Sequence, residues 1–177
     1  MATQTNTATK PVAEENGILD NIIPMVSFDG DCKAALEFYQ QALGGQLTLS
    51  TYDQMPQSCG DFDKGEKADV GCAPSAEMME AARQQKRVMH ARLVRNGQPV
   101  LMANDVPPGA PMQKGQNYWL NLACRTAADL ESTVKRLGEG GQVTMPPMET
   151  FFAQRFSMVT DKFGVNWMLI SGEKLHG

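Results

Sequence analysis

The chain has 177 residues and a formal net charge of -4, the size of one compact domain or of two small modules that share a core. It contains no apolar run of about 18 residues and no basic stretch leading into an apolar segment, so a soluble, cytoplasmic protein that neither spans a membrane nor is exported is expected. The basic spots at 83–87 and 92–95 are short and interrupted, which gives nucleic acid no electrostatic footprint.

Residues 1–17 carry Thr, Asn, Lys and Glu with little to bury, and read as a disordered tail. The first strand is expected in "NIIPMVSF", with Ile23, Met25 and Val26 as its apolar positions and Pro24 placing it at a start or an edge. A helix follows in "CKAALEFYQQAL", where Ala35, Phe38, Tyr39, Ala42 and Leu43 recur on a helical period, with Asp29 or Asp31 available as its cap. "GG" at 44–45 ends it, and "QLTLSTY" alternates as the next strand. Residues 53–85 are irregular apart from a short helix in "SAEMMEAARQQ", a length that suits a lid, a binding loop or a partly disordered segment better than a connector. Two strands come next, "RVMHARLV" and "PVLMAND", joined at Asn96-Gly97, a pair suited to a type I′ hairpin.

After a Pro/Gly-rich loop at 105–116 the pattern starts again. "YWLNLACR" is a strand, Thr126 with Asp129 opens a helix, and Leu130, Val134 and Leu137 line one of its faces. "GEGGQVTM" then echoes the earlier "LGGQLTL". The last stretch reads as three strands, with Pro146-Pro147 and "DKFG" as breaks and Asp161 as the acceptor in the second turn. The expected fold is therefore α+β: two βαβββ modules, at 22–104 and 117–171 of one domain spanning 18–171, with curved mixed sheets around a cavity.

The residues that a hairpin does not need define the candidate site. On "RVMHARLV", Met89, Ala91 and Leu93 are expected against a helix, which turns Val88, His90 and Arg92 to the cavity. His90 and Glu149 are the candidate acid–base pair. Arg155, next to aromatic residues, suits a carboxylate or phosphate-bearing ligand, and Lys162 does so less well. Trp119, Phe151, Phe152 and Trp167 are candidates for stacking on a planar ligand, Tyr52 for reaching the pocket from the second strand, and Met89, Met102, Met158 and Met168 for an adaptable lining. Cys32, Cys59, Cys72 and Cys124 match neither a zinc nor a redox spacing. Cys32 falls at a helix start, a place that lowers a thiol pKa, although the plain reading of all four is small apolar residues.

The strings "PMVSFDGDCKAALEFYQQALGG", "YDQMP", "VMHARL", "LMANDVPPG" and "GGQVTMPPMETFFAQRFSMVTDKFGVNWML" resemble the vicinal oxygen chelate superfamily of glyoxalase and the extradiol dioxygenases. The resemblance is greatest to its PhnB-like branch, also known as a 3-demethylubiquinone methyltransferase-like domain. It implies paired βαβββ modules and a homodimer. Metal-dependent members hold an ion with His and Glu from four strands; laid on this chain, those positions fall near Pro24, on Leu101 or Met102, on Trp119 and on Met168, so no metal and no other cofactor is expected. Three functions follow: a binding protein for a small molecule, a metal-independent enzyme working through His90 and Glu149, or a metal-dependent lyase, isomerase or dioxygenase with a relocated site.

Overall fold

The computed structural model describes residues 21–55, 74–112, 115 and 117–174. The expected tail at 1–17 and the part of the irregular segment at 56–73 lie outside the described residues. The chain forms two four-stranded sheets. The first unit is β1 (Met25–Phe28), α1 (Cys32–Leu43), β2 (Gln46–Thr51), α2 (Ala76–Gln84), β3 (Val88–Arg95) and β4 (Gln98–Asp105), with strand order β1-β4-β3-β2. The second is β5 (Leu120–Ala123), α3 (Ala127–Leu137), β6 (Gln142–Met148), β7 (Ala153–Thr160) and β8 (Asn166–Glu173), with order β5-β8-β7-β6. β1 runs parallel to β4 and β5 parallel to β8, while the other pairs are antiparallel, so both sheets are mixed and the βαβββ repeat is present.

Local chemistry accounts for these elements. α1 buries Ala35, Leu36, Phe38, Tyr39 and Ala42 on one face, and Gly44, at φ 74, ends it in a conformation that side chains disfavour. Its start is not held as the sequence suggests: Asp31 occupies the cap position without a side-chain hydrogen bond, and Asp29 pairs with Arg87. The buried carboxylate of Asp105, at the end of β4, accepts instead from the backbone N–H groups of Gly30, Cys32 and Val88, each at 2.9 Å. One side chain thereby joins the β1–α1 turn, the start of β3 and the end of β4. At the other helices the caps are local, with Thr126 accepting from Asp129 N at 3.0 Å and Ser75 from Met78 N at 3.2 Å. Asn96 and Gly97 both take positive φ, as a type I′ turn needs.

Two strand expectations change. β1 begins after Pro24 and buries Val26 and Phe28, leaving Met25 at 54% exposure. β6 runs through Pro146-Pro147 to Met148, because it is the edge strand and its register shifts there relieve the missing N–H groups.

α1 and α3 each cover one face of their own sheet and also pack on each other. Tyr39 meets Trp167 edge-on at 5.1 Å, Phe38 meets Phe163 at 5.8 Å, and Arg136 donates to the Ala42 carbonyl at 3.3 Å. Leu36, Leu93, Leu130, Leu137 and Leu169 are fully buried in the resulting common core, each stabilising the fold by about 1.5–3 kcal/mol.

Candidate functional site

The alternation of the strands divides each sheet into a covered face and an open one. In the first sheet Val26, Phe28, Ala91, Leu93, Leu101 and Ala103 lie beneath α1. Their neighbours Ser27, His90, Arg92, Met102 and Asn104 therefore stand on the opposite face, which no helix among the described residues covers. Register arranges them in rows: Met25, Met102, Arg92 and Thr48 lie side by side across the strands, and Ser27 stands beside Asn104 and donates to its Oδ1 at 2.8 Å. His90 is half-buried opposite Ser50. A bulge between Ser50 and Thr51 puts Val88 into the core, not on the face with His90 as alternation alone predicts.

In the second sheet Val159, Trp167 and Leu169 are covered, so Phe156, Met158, Met168 and Ile170 point to the open side. Met145, Met158, Met168 and Asn121 form a continuous row from β6 to β5. Phe152 extends this apolar surface, meeting Phe156 edge-on at 5.2 Å and Phe151 at 5.1 Å. Trp119 is half-buried just before β5.

Several expected site residues are occupied elsewhere. Trp167 is 2% exposed in the core, where its indole donates to Asp161 at 2.7 Å. Tyr52 is buried, with its hydroxyl donating to the Asp105 carbonyl at 3.2 Å, and burial first, then the Asp105 charge, raises its pKa. Arg155 lies on the helix side of β7, where its guanidinium is 3.5 Å from Glu131 of α3. Glu149 is exposed beyond β6 and takes a hydrogen bond from Lys174 at 2.5 Å. That bond and the lysine charge, with a smaller effect from Arg155, hold the Glu149 carboxyl below its ordinary value. Lys162 lies 4.4 Å over the ring of Phe38. His90, Glu149 and Arg155 thus stand on different elements, and no hydrogen bond or ion pair among the described residues joins them. Ser27, Asn104 and Met145 are among the open-face residues that the sequence reading missed. Burial of Val26 and Phe28 is the signal that locates Ser27 between them.

Asp161 serves the second unit much as Asp105 serves the first, accepting from Phe163 N at 2.9 Å and Val165 N at 3.0 Å besides the indole. A cavity of about 290 Å³ lies nearby, between the end of β1 and the turn before β8, with Ser27, Asp29, Asp31, Tyr118 and Phe163 among its walls. It includes none of His90, Arg92, Glu149 and Arg155.

The donor set was tested against a metal ion. Apart from the single imidazole of His90, the strand positions facing the open sides offer thioethers, amides and hydroxyls, from Met25, Ser27, Met102, Asn104, Asn121 and Met168, which do not make up the set of imidazole and carboxylate ligands of the metal-dependent family members. Among the described residues no three His, Cys, Asp or Glu side chains form a metal-binding group.

Mixed four-stranded sheets, each with a helix on one face and an open second face, define a glyoxalase-type fold. The model of the Glyoxalase/Bleomycin resistance protein/Dioxygenase superfamily matches residues 21–169, and the chain belongs to that superfamily. It is 29% identical to Protein YjdN of Escherichia coli (strain K12) over 147 residues, which are 82% of this chain and 91% of that protein. Among solved structures, PA1353 from Pseudomonas aeruginosa is 31% identical with a TM-score of 0.67, over 86% of this chain and 98% of the other. The PhnB protein of Bacillus cereus, 22% identical with a TM-score of 0.60 over 86% of this chain and 99% of its own, shares the fold.

Proposed function

We propose that this protein is a homodimeric, PhnB-like member of the superfamily, located in the cytoplasm, that binds a small organic molecule on its open sheet faces without a metal ion. The observation that carries the reading is the pair of uncovered faces: hydrogen-bonding groups from Ser27, Asn104, His90 and Arg92 on one, and the Met145, Met158 and Met168 row on the other. Methionines in such a row adapt to irregular apolar outlines, and Trp119 and Phe152 at the rim suit a flat ligand. Binding is favoured over acid–base work by His90 and Glu149, because Glu149 takes its hydrogen bond from Lys174.

The test is NMR of the protein with labelled methionine methyl groups, titrated with small ring compounds in the presence of a chelator. The expected result is saturable shifts concentrated at Met102, Met145, Met158 and Met168. Shifts confined to other methionines, or binding that requires an added metal ion, would overturn the proposal.

A further inference from the structure

We infer that the molecule bound on the open face of the first sheet carries an oxyanion head, a carboxylate, phosphate or phosphonate, and that Arg92 binds it. The inference rests on the open face being the binding surface, as proposed above, and it starts from the charges on the strands. The only carboxylates in the eight strands are Asp105 and Glu173. Asp105 is buried and bonded to three backbone N–H groups, and Glu173 sits at the exposed end of β8 opposite Ala153, in register with the covered side. Neither stands on an open face.

The cations are distributed differently. Arg155 meets Glu131, and Arg95 ends β3 beside the hairpin turn. Arg92 stands in mid-strand between Met102 and Thr48, exposed on the open face, and has no carboxylate partner among the described residues. Ion pairs elsewhere join Lys33 to Glu37, Arg87 to Asp29 and Lys174 to Glu149.

Any molecule that lies on this face strips water from the Arg92 guanidinium, and a desolvated cation without a counter-charge is strongly unfavourable. The neighbouring Ser27, Thr48, Ser50 and Asn104 supply dipoles but no charge. A second copy laid over the face with its methionine row brings no carboxylate from that row either. With no carboxylate beside Arg92 among the described residues, the negative charge is assigned to the ligand. A guanidinium fork matches the paired oxygens of a carboxylate or phosphonate. His90, two residues along the same face and roughly 7 Å away, places a second nitrogen beside it.

Calorimetric titration of the full chain at low salt tests this, with benzoate and phenylphosphonate as oxyanion probes and benzamide as the neutral molecule of similar shape. At least one oxyanion probe should bind about tenfold tighter than benzamide or better, and Arg92→Gln should weaken it by about tenfold to a hundredfold while leaving benzamide unchanged. Lys135→Gln, on the exposed side of α3, should keep the preference, and circular dichroism verifies that both variants are folded. Equal binding of benzamide and the oxyanions, or a preference that survives Arg92→Gln, overturns the anion assignment while leaving the open face as the binding surface. If none of the three probes shifts the open-face methionine signals up to its solubility limit, both readings fall.

Discussion

Cys32 shows how tertiary context overrides a local rule. The first turn of a helix normally favours a thiolate, yet here burial, with the Asp105 charge as the second cause, pushes the thiol from 9.0 up to about 12. The folded state therefore favours the neutral thiol. Its contribution to stability is complete below pH 9, the unfolded value, and is lost as the pH rises toward 12. The urea midpoint of the native protein should accordingly fall more steeply between pH 9 and pH 11 than that of Cys32→Ala, the difference between the two curves removing the titration of lysines and tyrosines. Parallel curves would show that the thiol ionises as freely in the folded protein as in the unfolded one. Tyr39 is shifted in the same direction, by burial first and by Asp161 second.

At the level of elements, the β7–β8 turn is anchored by a carboxylate that serves two backbone groups and an indole. Trp167→Phe removes the donor from Asp161 Oδ2 and opens space beside Tyr39, and should cost about 2–4 kcal/mol in urea unfolding. The turn itself was legible, because "DKFG" carries its own acceptor, as were α1, α3 and the Asn96-Gly97 hairpin, whose signals lie within a few residues. The alternation of Val165, Trp167 and Leu169 was legible too. Alternation, however, assigns residues to two faces without saying which one a helix will cover, and so Trp167 was placed on the wrong side. Arg155 was misplaced for a similar reason: its partner Glu131 is on another element, and nothing local announces the pair. At Val88 the bulge broke the alternation itself.

On the scale of the whole molecule, the shared core lies between α1 and α3, so the apolar groups of the second sheet's open face, with Met148 at 47% exposure, need a different cover. A homodimer burying a standard interface of about 1,600 Å² would provide it. Light scattering should therefore give twice the 19.3 kDa chain mass, and Met168→Asp should return the folded protein to a single chain. A single-chain mass for the native protein at all working concentrations would refute the assembly. Pro146 and Pro147 set a limit on how copies join. Because neither proline has an N–H to offer on the outer strand of the second sheet, β6 is a poorer template for another strand over that stretch. Growth by that edge, the first step of an amyloid-like ribbon, is therefore disfavoured at the two prolines, and the predicted homodimer would instead join through side chains on the faces.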